Sequence, residues 1–209
     1  ENALPPYLKL AYLPNPGAVR LRLSAYEVEG ESVSKEIERQ FEALRRIIPH
    51  NIIGYETATM QELIHKLLTE RRQTLATAES CTGGTIAARF TAMPGASAYF
   101  LCGVVSYSNA SKQAVLGVDP DTIARYGAVS EQVVRQMAEG VRHLANAHYA
   151  IATTGIAGAT GGTPEYPVGS VWIAVSSPLR TTARLIHAKG DRTQIIRKAG
   201  TAAIELLEE

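Results

Sequence analysis

Apolar residues recur along this chain with two different periods, and the changes of period divide it into short strands and amphipathic helices. Residues 8–13 form a strand candidate that ends at the turn Pro14-Asn15-Pro16-Gly17. Residues 19–26 alternate apolar and polar side chains, as a half-buried strand does. After a turn at 29–31, Val33, Ile37, Phe41, Leu44 and Ile48 mark one face of a helix, with Ser32 or Ser34 as its cap and Pro49 as its stop. Residues 52–55 read as a short strand. Met60, Leu63, Ile64, Leu67 and Leu68 then give the stripe of a helix over 59–72, opened by Thr57 or by a capping box of Thr59 with Glu62. Downstream the two periods alternate. Strands are predicted at 74–78, 99–107 and 149–153, with helices at 85–92, 108–116, 119–126 and from Ser130 to Leu144. The segments 168–175 and 181–187 resemble a β-hairpin, and 192–207 is a last helix.

Strands alternating with helices predict an α/β fold from residue 56 onward, a layered α/β/α sandwich with a mixed sheet. A small α+β domain precedes it, so the expected domains are 1–55 and 56–209. The length of 209 residues and a 45% hydrophobic share accommodate both cores. A formal net charge of +1 gives no global drive toward nucleic acid or an anionic membrane. Cys81 and Cys102 match neither a disulfide framework nor a zinc spacing. Apolar runs are far shorter than a membrane span, and no signal peptide is visible. A reducing, cytoplasmic setting is therefore expected. The chain begins at Glu1 rather than Met, as a fragment of a longer protein would. The first domain has the size of a KH-like module, but its glycines, Gly17, Gly30 and Gly54, form no GxxG clamp for RNA. Arg20 and Arg22 share a strand face and read as a solvated one, so a spacing or dimerisation role ranks ahead of RNA binding.

The candidate chemistry centres on residues 75–87, where an apolar strand turns into a helix through Glu79-Ser80-Cys81-Thr82-Gly83-Gly84. Such a turn lies at the carboxyl edge of a sheet, where open α/β sheets bind ligands. The first N–H groups of the following helix lack intrahelical partners and suit an anion or the oxyanion of a reacting carbonyl. Ser80 is a candidate nucleophile, and a serine needs an adjacent base. Two further loops follow strands, one carrying Tyr107 and Lys112 and one the Gly-rich run 154–162. A desolvated lysine can be neutral near pH 7 and take the serine proton, and serine–lysine pairs are a variant of the triad logic. Among the histidines only His187 is a rival base. Each of these residues has a plainer role open to it. Ser80 can cap the helix, Lys112 can be a surface lysine and Tyr107 core, and Asp191-Arg192 can be a cap beside a solvated arginine. Cys81 at a helix start is a rival nucleophile. The Gly-rich loop can be a simple connection; it lacks the Walker lysine and the GxGxxG opening.

Six motifs in order resemble the carboxy-terminal domain of the CinA family. They are Ala78-Glu79-Ser80-Cys81-Thr82-Gly83-Gly84, Tyr107-Ser108-Asn109 with Lys112, Gly127-Ala128-Val129-Ser130, Gly155-Ile156-Ala157-Gly158, Pro167-Val168-Gly169 and Gly190-Asp191-Arg192. The resemblance implies an amidase that converts nicotinamide mononucleotide to nicotinate mononucleotide and ammonia in pyridine-nucleotide salvage, with no cofactor and no metal. It implies Ser80 as nucleophile, with Lys112 and Tyr107 as catalytic neighbours. Thr82, Gly83, Thr154, Gly155, Gly158 and Arg192 are the substrate-binding positions. Residues 1–55 look like the family's KH-type middle domain, and a homodimer is expected. The family's amino-terminal pyrophosphatase domain has no counterpart here, so that activity is not assigned. Ala159 stands where the family commonly has proline. The alternative from another class is a non-catalytic module that binds a nucleotide or a partner.

Overall fold

The computed structural model describes residues 4–15, 18–26, 30–49, 52 and 60–207. The chain divides into two compact units, Glu1–Thr57 and Ala58–Glu209. In the first, β1 (Leu8–Asn15) and β2 (Ala18–Ala25) form an antiparallel hairpin with Leu10 opposite Leu23. β1 runs two residues beyond the expected stop, so that Pro14 pairs with Val19. A two-stranded sheet consists only of edges, where the missing proline N–H is tolerated. Helix α1 (Glu31–Ile47) ends just before Pro49, as its stripe predicts. Its N-cap is Gly30, at φ +118°, so neither Ser32 nor Ser34 is the cap. The strand expected at 52–55 and the caps expected at Thr57 and Thr59 lie outside the described residues, Ile52 excepted.

The second unit contains α2 (Met60–Arg71), β3 (Leu75–Glu79), α3 (Thr85–Thr91), β4 (Phe100–Val105), α4 (Asn109–Leu116) and α5 (Pro120–Tyr126). These are followed by α6 (Glu131–Leu144), β5 (Tyr149–Gly155), β6 (Ser170–Ser176), β7 (Thr181–His187) and α7 (Arg192–Glu205). The five strands form one mixed sheet in the order β4-β3-β5-β6-β7. β3 is parallel to β4 and β5, whereas β6 and β7 continue the sheet antiparallel.

Helices cover both faces, which is why β3 is buried along its whole length. On one face Ile64 and Leu68 of α2, Ile86 and Phe90 of α3, and Ile195 and Ile204 of α7 pack on Leu75, Ile151 and Ile173. On the other, Leu116, Ile123, Val133, Met137 and Val141 of α4, α5 and α6 pack on Ala76, Ala78, Ala150, Ala152 and Ala174. The alanine-lined sheet face lets α6 lie close. The α6 stripe is buried as far as Val141, while Leu144 at the helix end is exposed. Because β3, β4 and β5 run in the same direction, their carboxyl ends at Glu79, Val105 and Gly155 share one edge of the sheet. Among the described residues no helix is long and apolar enough to cross a membrane.

Candidate active site

The site edge is built around a carboxylate that faces inward. Glu79, the last residue of β3, is 1% exposed. Its side chain accepts hydrogen bonds from the backbone N–H groups of Gly84 at 3.0 Å, Ile86 at 3.1 Å and Ala87 at 2.8 Å. Those are the first donors of α3, which the sequence pattern offers to a bound anion. The fold corrects that expectation, because Glu79 takes them and satisfies the helix start internally.

Ser80 is consequently not a helix cap. The N-cap of α3 is Gly84, at φ +96° and without a side-chain cap. Gly83 at φ +61° and Gly84 allow the chain to reverse between strand and helix. The Ser80 amide donates to the Thr153 carbonyl at 3.0 Å, and its carbonyl accepts from Gly83 N–H at 3.1 Å. These bonds fix the turn and leave the buried Oγ facing Lys112.

Lys112 is the fourth residue of α4. That helix starts at Ser108, which forms a capping box with Ser111, and ends at Gly117. The helix lies over the alanine-lined face, so the Lys112 side chain is only 2% exposed. Its Nζ donates to Ser80 Oγ at 3.0 Å and to the Ser106 carbonyl at 3.0 Å. Burial pushes the lysine below its ordinary value of 10.5, opposed by the neighbouring Cys81. The Arg192 charge acts on the neighbouring Cys81 thiol, which it lowers slightly. The Cys81 thiol is pushed up to about 12, chiefly by burial, so it keeps its proton near neutrality.

Tyr107 and Arg192 form a second group. Arg192 opens α7, behind an Asp191 cap boxed with Gln194. Its Nη2 donates to the Tyr107 hydroxyl at 2.7 Å. A Cβ on Gly158 would stand 3.3 Å from Arg192 Nη1, so the second glycine loop lies against the same guanidinium. Tyr107 is 59% exposed, and among the described residues no hydrogen bond joins it to Ser80 or Lys112. Lys112 therefore meets Ser80 directly, and Tyr107 stands with Arg192 rather than between them.

The remaining expected site residues divide by what they touch. Thr82 is fully buried, and its hydroxyl shares a 2.7 Å hydrogen bond with that of Thr153. Thr154 is 1% exposed and donates to the Ala128 carbonyl at 2.7 Å. Both hydroxyls hold loops together. Gly155 is needed for packing, since a Cβ there would stand 2.7 Å from the Ser170 carbonyl oxygen. Gly83 has open space beside it. His187 contacts Ser170 Oγ at 3.3 Å on β7, three strands along the sheet from β3, which removes it as a rival base. Glu79 and Ser106 were not singled out from sequence. Glu79 left a signal, as the one acidic residue ending an apolar strand that leads into a helix; Ser106 left none.

A three-layer α/β/α domain with a buried lysine on a strand-end serine is the class that fold and site define. Residues 57–209 match the CinA C-terminal domain, and the chain belongs to that family. It is similar to a CinA-like protein of Flavobacterium psychrophilum, 41% identical over 99% of this chain and 50% of the relative. A CinA-like protein of Chlorobaculum tepidum is 43% identical over 93% of this chain and 47% of its own. The chain thus spans about half the length of the curated relatives it matches. Among solved structures, the competence damage-inducible protein A of Klebsiella pneumoniae superposes with a TM-score of 0.69 at 37% identity, over 71% of this chain and 92% of its own. The competence/damage inducible protein of Agrobacterium tumefaciens gives 0.68 at 36% identity, over 74% of this chain and 97% of its own.

Proposed function

We propose that this chain is an amidase that hydrolyses the carboxamide of nicotinamide mononucleotide to nicotinate mononucleotide and ammonia, as a step of pyridine-nucleotide salvage. The observation that carries the reading is the 3.0 Å contact between Lys112 Nζ and Ser80 Oγ, made by two buried side chains. A buried lysine with a depressed pKa has the lone pair that a serine hydroxyl needs.

In this reading the Ser80 proton passes to Lys112 Nζ while Oγ forms a bond to the carboxamide carbon. The carbonyl π pair moves onto oxygen. The amides of Cys81 and Thr82, which donate to no other residue among the described ones, are assigned to that oxyanion. The tetrahedral species collapses by breaking the C–N bond, and the proton held on Lys112 goes to the nitrogen, which leaves as ammonia. Water then attacks the acyl-enzyme, giving one proton to Lys112, which returns it to Ser80 Oγ as the acyl C–O bond breaks, and the acid leaves and gives its remaining proton to solvent to become the carboxylate. Tyr107 and Arg192 are assigned to the phosphate end of the substrate, because a guanidinium at a helix start favours an anion. Ser, Lys, Tyr and Arg are not a ligand set for a divalent ion, so the step is assigned to the side chains alone. Residues 1–55 are proposed as a KH-type spacer or dimerisation module.

The test is ammonia release from nicotinamide mononucleotide by the purified chain, with Ser80→Ala as control. Release by the wild type that stops in the variant supports the reading. A folded wild type that releases no ammonia overturns it.

A further inference from the structure

Ser106 follows β4 and stands directly beside the Ser80 turn, since its amide donates to the Glu79 carbonyl at 2.9 Å. It is fully buried, and among the described residues its hydroxyl has no hydrogen-bond partner. A buried hydroxyl without a partner is costly and calls for a reason. Its own carbonyl is one of the two acceptors of Lys112 Nζ, Ser80 Oγ being the other. In the neutral form, the Lys112 lone pair faces the Ser80 proton and one N–H serves the Ser106 carbonyl. Once it has taken the serine proton, the lysine is an ammonium with three N–H donors, while the described residues supply two acceptors. The pocket is short of one acceptor for a donor that appears only in the protonated state, and the residue beside it carries one unused hydroxyl oxygen.

We propose that Ser106 is a positioning residue of the Ser80–Lys112 pair, whose hydroxyl turns to accept the third N–H of Lys112 while that lysine holds the proton taken from Ser80. The hydroxyl thereby stabilises the ammonium, offsets part of the burial that disfavours it, and keeps Nζ aimed at the leaving nitrogen that receives the proton. No bond to Ser106 is made or broken. The other groups around Lys112 leave this part unfilled. The Cys81 thiol keeps its proton, Glu79 is tied to α3, Arg192 and Tyr107 are bonded to each other, and the α6 side chains in the adjoining core, Val133, Val134 and Met137, are apolar.

The catalytic meaning of this proposal rests on the amidase reading, whereas its physical content is read without substrate. In protein labelled with [ε-13C]lysine, the Lys112 resonance is assigned by its loss in Lys112→Arg and titrated in wild type, Ser106→Ala and Ser106→Thr. Losing a hydrogen bond to a charged group should lower the Lys112 pKa by about one pH unit in Ser106→Ala. Ser106→Thr, which keeps the hydroxyl, should titrate like wild type. The acid limb of the pH–rate profile for ammonia release should move down with the resonance, and the rate above that limb should fall about tenfold because the base is weaker. An unchanged Lys112 titration in folded Ser106→Ala overturns the proposal whatever the activity. A shifted titration in a chain that releases no ammonia upholds the Ser106 contact and overturns the amidase reading instead.

Discussion

At the scale of single residues, the site depends on which of two adjacent side chains, Ser80 or Cys81, can lose a proton. Ser80 has Lys112 Nζ at 3.0 Å, whereas Cys81 is buried with its thiol pushed up to about 12. Ser80→Ala and Lys112→Ala should each cut amide hydrolysis by at least two orders of magnitude. The double variant should be little worse than either, because the two act as a unit; initial rates of the three variants decide this. Cys81→Ala should stay active, and in the native protein Cys81 should resist alkylation by iodoacetamide at pH 8, as mass spectrometry of the trapped peptide would report. Rapid labelling of Cys81 together with a dead Cys81→Ala variant would move the nucleophile by one residue. Burial lowers the folded-state pKa of Lys112 below 10.5, so two pH dependences follow. Activity should rise with pH through the lowered value, as the neutral base is populated. Stability should also rise with pH from that value toward 10.5, because there the unfolded chain binds more protons than the folded one.

At the scale of elements, two contacts hold the pair in register, one for each partner. For Ser80 it is the carboxylate of Glu79 on three amides of α3. Glu79→Gln keeps the shape but turns an NH2 toward N–H donors, so at least one buried amide loses its acceptor, at about 1–3 kcal/mol. A lower thermal midpoint together with reduced turnover is expected, and calorimetry paired with kinetics checks it. For Lys112 it is Gly140 of α6. A Cβ at Gly140 would lie 2.9 Å from the Leu116 carbonyl carbon at the end of α4 and nearer still to its oxygen. Gly140→Ala should therefore displace the helix that carries Lys112, at about 1–3 kcal/mol of overpacking, and lower kcat although residue 140 is remote from the chemistry. A variant with wild-type turnover would show that α4 does not depend on this contact.

The elements also show what the sequence could and could not disclose. Period-2 and period-3.6 stripes, with Ser108, Asp119, Ser130 and Asp191 as caps, place the α/β elements within a few residues, because these signals are local. The partnership of Glu79 with α3 was hidden since a strand-end carboxylate reads equally well as exposed. The burial of Lys112 was hidden since it follows from the position of α4 on a sheet face made of Ala76, Ala78, Ala150 and Ala152. Thr82 and Thr154 were expected to face substrate, but their hydroxyls meet Thr153 and Ala128, partners 71 and 26 residues away that no local pattern reveals.

At the scale of the whole molecule, every residue assigned to the reaction lies in the second unit. Both cores of that unit close on its own sheet, one on each face. The Klebsiella pneumoniae structure matches 71% of this chain over 92% of its own length, so a chain of this family that is little more than the matched region folds without the rest. A fragment of residues 58–209 should accordingly unfold cooperatively, as a domain of about 150 residues with its own core does. It should also release ammonia from nicotinamide mononucleotide with a kcat within about twofold of the longer chain, since among the described residues the hydrogen bonds of Ser80, Lys112, Ser106, Tyr107 and Arg192 go to residues of the same unit. Circular dichroism melts and steady-state kinetics of the two proteins, compared over a range of protein concentration, provide the check. A folded fragment whose turnover fell well below that of residues 1–209 would mean that the first unit, through its own contacts or through self-association, completes the site. A fragment with unchanged turnover confines the chemistry to the α/β sandwich and leaves residues 1–55 a role outside the reaction.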